Sequence, residues 1–211
     1  EEKMNYGIKH QIPISTNFNV LKYITVTPGI NLSAYMYTKS INKEFITDYI
    51  PARDTLVGRD SSYVRTNTQR GFAGGYDANF STGFSTKVYF DYAFRKGKVK
   101  QIRHLLIPTL TYGYRPDFGA EQYGFWKKVQ TDAAGRTAPY SIFEQNIYGG
   151  PANGEQNSIG INLNNTFDAK VKRKTDTGIA YNKVALLQNL SLNTSYNFAA
   201  DSFKMSNVGI T

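Results

Sequence analysis

Between Ile24 and Met36 the even positions are Ile24, Val26, Pro28, Ile30, Leu32, Ala34 and Met36, and the odd positions are Thr25, Thr27, Gly29, Asn31, Ser33 and Tyr35. A period of two marks a β-strand with one apolar face, because successive side chains of an extended chain project to opposite sides. The pattern returns at Ile159, Ile161, Leu163, Phe167, Ala169 and Val171, set against Ser158, Gly160, Asn162, Asn164, Thr166, Asp168 and Lys170. Strands about ten residues long with one apolar and one polar face suit the wall of a membrane barrel.

Bulk composition is compatible with this reading. The mean hydropathy of −0.45 is that of a soluble protein, but barrels lower the average because half of each spanning strand faces a polar interior. Unbroken apolar runs such as Leu105–Ile107 are far shorter than the roughly 18 to 20 residues of a helical span. Any crossing of a membrane therefore has to be made by strands. Cysteine is absent from the 211 residues, which excludes a disulfide scaffold or a thiolate metal site. The net charge of +9 points to anionic partners such as phosphate-bearing lipid or nucleic acid. Glu1 is neither an initiator Met nor part of a signal peptide, and the last residues lie inside an alternating stretch, so the chain reads as part of something longer.

Followed along the chain, the alternation predicts an all-β, antiparallel transmembrane barrel fragment of about seven strands, with residues 1–211 belonging to one barrel domain. Ile8–Val20 and Tyr23–Tyr37 form a hairpin through Leu21-Lys22, and Phe72–Ser85 is the third strand. Thr86–Gln101 reads as a broad basic turn with strand-like edges. Leu106–Tyr114 is the fourth strand, Ser158–Val171 the fifth and Leu190–Phe198 the sixth, with a seventh beginning near Phe203. Residues 38–70 and 115–157 lack alternation and read as long external loops, whereas Lys172–Lys183 reads as a basic turn. Long loops that alternate with short or basic turns are the asymmetry of outer-membrane barrels. Seven strands do not close alone in lipid, because an open edge leaves backbone groups unpaired in hydrocarbon. The remainder of the barrel is expected elsewhere.

Two segments carry a family resemblance. Ile102-Arg103-His104-Leu105-Leu106-Ile107-Pro108, continuing through Tyr112, Tyr114, Arg115 and Pro116-Asp117-Phe118, resembles the C-terminal barrel of the LptD family of lipopolysaccharide-assembly proteins, also called organic solvent tolerance proteins. Ser141-Ile142-Phe143, Tyr148-Gly149-Gly150 and Asn157-Ser158-Ile159-Gly160 are similar to a second segment of that family, except that Gly150-Pro151 stands where an Asp-Arg pair is usual. Tyr196–Asp201 also resembles versions of this barrel. The resemblance implies a Gram-negative outer-membrane protein that encloses a plug lipoprotein of the LptE type and opens sideways. It would take lipopolysaccharide from periplasmic bridge proteins and deliver it to the outer leaflet, in contact with outer-membrane lipid. This chain would be barrel wall.

No residues point to catalysis, a metal or a cofactor. His10 and His104 lie on different segments without ligand spacing, and Asp48, Asp54 and Asp60 form no recognisable dyad. Gly71, Gly74 and Gly75 are followed by no Lys-Ser/Thr and open no helix, so they suit strand curvature better than a phosphate cradle. Pro28 and Pro108 each remove a ladder donor inside an alternating stretch. Tyr23, Tyr35, Tyr37, Tyr112, Tyr114, Tyr196 and Phe198 fit an interfacial girdle. The polar positions Asn162, Asn164, Asn193 and Asn197 are expected to face the lumen. A nucleic-acid platform would gather its rings on one sheet, whereas here aliphatic alternation runs through nearly every strand, so no nucleic-acid partner is expected. Other barrels, either a diffusion channel or a substrate-gated transporter, share the alternation and are separated from this reading only by the two motif segments. A soluble sandwich is a third option, which would fold without detergent.

Overall fold

The computed structural model describes residues 5–50, 59–175 and 178–211, and among these it is all-β with antiparallel pairing and no closed barrel. The strands are β1 (Gly7–Ser15), β2 (Phe18–Val20), β3 (Ile24–Ile50), β4 (Arg59–Thr86), β5 (Val88–Ala93), β6 (Val99–Arg115), β7 (Trp126–Gln130), β8 (Thr137–Ser141), β9 (Gln156–Thr175), β10 (Gly178–Asn197) and β11 (Gly209–Ile210). The main sheet has the order β1-β3-β4-β6-β9-β10-β11, while β2 pairs with β3 and β5 with β6. With β2 and β5 counted as continuations of β1 and β4, the sheet matches the expectation of about seven strands.

Both continuations have one cause. Ser85 pairs with Thr109 and Val88 with Leu106, so the register runs unbroken and leaves Thr86 opposite Pro108, which has no N–H to donate. Phe18 pairs with Val26, and the Thr16 N–H reaches the Pro28 carbonyl at 3.2 Å, which puts the β1–β2 interruption opposite Pro28. Each proline removes one rung, and the neighbouring strand loses its regularity there. The β2–β3 turn spans the three residues Leu21–Tyr23, with Leu21 and Lys22 at φ of 51° and 65°.

Three expectations need correction. Residues 38–70 are not a loop: β3 extends to Ile50 and β4 begins at Arg59, with 51–58 outside the described residues. Apolar alternation is missing there because polar pairs link the two strands instead. Arg65 bonds Glu44 at 3.3 Å and the Tyr63 hydroxyl donates to Asp48 at 3.3 Å. The stretch Thr86–Gln101 is a hairpin of β5 and the start of β6, closed by the Phe94 N–H to the Lys100 carbonyl at 2.8 Å. Lys172–Lys183 is mostly strand, since Tyr181 pairs with Lys172 and Gly178 with Thr175. Residues 176–177 of that stretch lie outside the described residues.

The chain forms two compact units. One comprises Glu1–Pro13, Asn31–Asn79 and Pro116–Glu155, and the other Ile14–Ile30, Phe80–Arg115 and Gln156–Thr211. In the first, Pro116–Glu155 is a folded insert and not a bare loop: it holds a 3-10 turn at Glu121–Tyr123 and the β7–β8 hairpin. Its core joins Phe118, Phe125 and Phe143 to Tyr35 and Tyr37 of β3. A second small cluster packs Val129 and Tyr140 against Ile41. In the second unit, β6, β9 and β10 form a long ladder from Asn197↔Ser158 down to Gly178↔Thr175.

Candidate functional site

On the middle of β3 the two chemically distinct faces also differ in exposure. On β3 the apolar-parity residues Ile30, Leu32 and Met36 are 37%, 38% and 39% exposed, whereas Ser33, Tyr35 and Tyr37 of the opposite parity are 6%, 5% and 2% exposed. Between Ile30 and Tyr37 the apolar side is the barer one, although Val26, of the same parity, is buried. Ile8, Ile12 and Ile14 of β1 and Phe72, Phe80 and Phe84 of β4 are likewise exposed. Exposed apolar rows of this kind mark contact with lipid or with another protein.

On the other face of the β6–β9–β10 ladder, polar residues stand in register. Asn162 pairs with both Asn193 and Thr109, Asn164 faces Ser191, and Asn197 faces Ser158. The Ser191 hydroxyl bonds the Asn164 side chain. Rows are continued by Gly160 between Thr111 and Ser195, and by Arg103 next to Asp168. The four asparagines picked out by sequence thus share one face of one ladder.

In the first unit, the insert packs on the wet-parity residues Tyr35 and Tyr37 of β3, and on β4 it meets both Gly75 and Tyr76, whose ring lies 5.5 Å from that of Phe125. The Tyr37 hydroxyl donates to the Gly149 carbonyl at 2.7 Å, and the Tyr35 hydroxyl donates to Asp77 at 2.9 Å. Phe143 is fully buried, with its ring 5.5 Å from Tyr37 and 6.0 Å from Phe125. Gly75 and Gly150 make room for it: a Cβ on either would come within 2.9 Å and 2.5 Å of its ring. Asp117 accepts the backbone N–H groups of Gly119 at 2.8 Å and Gly154 at 2.7 Å, tying together the two ends of the insert. Trp126 Nε1 donates to the Pro151 carbonyl at 2.8 Å. Tyr35 and Tyr37 are therefore core residues of this unit and not part of an aromatic girdle. Their odd positions, opposite in parity to Ala34 and Met36, were the sequence signal.

The motif residues fall into two groups. Arg103 lies on the polar face and pairs with Asp91 at 2.9 Å. His104 lies on the apolar face, stacked 4.2 Å from Phe167 and 5.4 Å from Phe90, and its Nε2 meets Asn165 Oδ1 at 2.9 Å. Pro108 marks the ladder gap, Tyr112 pairs with Ile159, and Tyr114 packs 6.4 Å from Phe80. The Asn157 carbonyl accepts the Phe198 N–H at 2.7 Å at the start of β9. Pro116, Phe143, Tyr148 and Gly149 belong to the insert; Tyr148 is exposed, and Gly149 has the left-handed φ of 63°.

One polar cluster escaped the sequence reading. Asn165 stands at an apolar-parity position between Leu163 and Phe167. There β10 is bulged, with register shifts between Ala185 and Leu187 and between Leu187 and Leu190. The Asn165 amide donates to the Leu190 and Leu163 carbonyls, each at 3.2 Å, and its oxygen meets His104. Backbone acceptors left by the bulge are thus satisfied by a side chain on a face that offers few other donors. The polar interruption of the apolar row was its trace in the sequence.

A family model described as LptD protein matches residues 1–211. The chain belongs to the LptD family. Neither the curated proteins nor the solved structures give a match. LptD proteins serve lipopolysaccharide transport and assembly at the Gram-negative outer membrane, a transport family and not an enzyme family. Lipopolysaccharide and the other components of that transport system are the partners that LptD membership brings. No helix among the described residues is long and apolar enough to cross a membrane. The LptD fold supplies strands for that purpose.

Proposed function

We propose that residues 1–211 form part of the wall of a single outer-membrane barrel that delivers lipopolysaccharide to the outer leaflet. The apolar face meets hydrocarbon, and the asparagine-bearing face lines the lumen. Lipopolysaccharide has to move apolar acyl chains and a charged glycan together, and desolvating either in the wrong medium is costly. A two-faced wall keeps the chains on the apolar side while the glycan passes polar groups.

The observation that carries the reading is the in-register set Asn162, Asn193, Asn164 and Ser191, on the face opposite to Leu163, Ile161 and Leu192. The insert supports it as well, since on β3 it covers the wet-parity residues Tyr35 and Tyr37 and leaves Leu32 and Met36 exposed. In this reading the insert lies on the lumen side, beside a plug lipoprotein of the LptE type, and periplasmic bridge proteins supply the glycolipid. Photo-crosslinkers at Asn164 and Asn193 are expected to label glycan or plug protein in cells. Labelling by acyl chains alone would reverse the assigned faces.

A further inference from the structure

At the turn end of the polar face, β9 and β10 place Lys170 directly opposite Lys183. Like charges facing each other across an antiparallel pair are destabilising, since their Cβ atoms are only about 5 Å apart. Lys183 reaches Asp168 at 2.9 Å. Lys170 has no carboxylate partner among the described residues and lies 5.0 Å from the centre of the Tyr181 ring. Lys172, one step nearer the turn and opposite Tyr181, adds another cation.

These side chains border a cleft of about 250 Å³ lined by Gln101, Arg103, Asp168, Lys170, Tyr181 and Lys183. Arg103 spends its Nε on Asp91 at 2.9 Å, and its two terminal nitrogens take no hydrogen bond among the described residues. A guanidinium fork beside two ammonium groups is a donor set suited to the tetrahedral oxygens of phosphate. Asp168 and Asp91 offset part of the charge of Lys183 and Arg103, and Lys170 is left without a carboxylate among the described residues. A phosphomonoester, with roughly −1.5 to −2 at neutral pH and three acceptor oxygens, can bond all three cations, whereas a carboxylate or a phosphodiester carries a single charge.

We infer that the cleft between Arg103, Lys170 and Lys183 is a binding subsite for the phosphomonoester of a glycolipid headgroup. This rests on the reading of the polar face as the glycolipid path. The subsite holds the headgroup at the turn end of the ladder, with Gln101 and Tyr181 as flanking polar groups. The like-charged lysine pair, unfavourable in the empty cleft, becomes favourable once the anion is bound.

The test uses the full-length protein in nanodiscs, with a photo-crosslinking residue at Tyr181 or, separately, at Asn164. Lipopolysaccharide bearing its phosphates is expected to label both positions. K170Q/K183Q should lower labelling at Tyr181 by about tenfold, the scale of losing charged hydrogen bonds, and leave Asn164 labelling within about twofold of the parent. K170R/K183R should restore it. Dephosphorylated lipopolysaccharide and phosphatidylglycerol should label Tyr181 weakly in the parent protein. The melting temperature without ligand should not fall in K170Q, which relieves the repulsion and leaves the Lys183–Asp168 pair intact. Unchanged Tyr181 labelling in K170Q/K183Q, or equal labelling by phosphatidylglycerol, overturns the subsite. So does stabilisation by inorganic phosphate with no effect of the lysines on glycolipid labelling, which would mark a free-anion site. Labelling at Asn164 without Tyr181 rejects the subsite alone, and labelling at neither rejects the path with it.

Discussion

Tyr37 donates its hydroxyl to the carbonyl of Gly149 at 2.7 Å, across 112 positions of sequence, while its ring lies against Phe143. One side chain of β3 therefore holds the insert in two ways, through a polar tip and an aromatic body. Tyr37→Phe is expected to lose about 1 kcal/mol, the net value of one hydrogen bond, and Phe143→Ala about 3 to 5 kcal/mol, since it empties a fully buried site. Limited proteolysis between β6 and β9 in detergent reads the difference: cleavage should rise slightly for the first variant and strongly for the second. Equal resistance of both would remove Phe143 from the core.

Overpacking the same place should also be costly. Gly75→Ala and Gly150→Ala set a Cβ within 2.9 Å and 2.5 Å of the Phe143 ring, whereas the nearest atom to a Cβ at Gly83 is the Thr27 carbonyl at 4.0 Å. The first two are expected to cost about 1 to 3 kcal/mol and Gly83→Ala much less. Thermal unfolding followed by the gel-mobility shift of folded barrels ranks the three.

Leu163→Lys and Asn164→Lys differ by one position and by face. Near the bilayer midplane, a lysine on the lipid side costs about 2 to 4 kcal/mol, whereas a lumen position tolerates it. The folded fraction in isolated outer membranes should drop for Leu163→Lys alone. If both assemble equally well, the apolar face does not meet hydrocarbon.

Asn165→Leu should cost about 1 to 3 kcal/mol, because it strips partners from His104 and from the Leu190 carbonyl together. Adding His104→Leu should recover part of the loss, as one unpaired polar group is then removed. A double-mutant cycle by denaturant titration in micelles measures the coupling, which is expected near 1 kcal/mol for groups in direct contact. Additive single effects would show that the two side chains act independently.

The strand path was legible in the sequence wherever one face was apolar, because burial or lipid enforces the period of two at each such residue. It was illegible between Thr38 and Arg70, where β3 and β4 are joined by Glu44–Arg65 and Asp48–Tyr63 and neither face needs to be apolar. Hydrogen-bonded ladders do not require hydrophobic alternation, so its absence does not make a loop. The insert was visible as a long connection, and its motif residues Phe143, Tyr148 and Gly149 could be singled out. Its packing was not, since that depends on Tyr35 and Tyr37, about a hundred residues earlier in the chain. The alternation also concealed Asn165, whose reason for standing in an apolar row is a bulge on the neighbouring strand.

The rungs missing opposite Pro28 and Pro108 bear on motion. The ladder is interrupted at Asn17 and Lys87, next to the residues opposite the two prolines, so exchange with deuterium is expected to begin at those two amides and spread outward from there. Two proline-made notches thus mark the levels at which this sheet should loosen first, and they do so without a glycine hinge or a gap in the register.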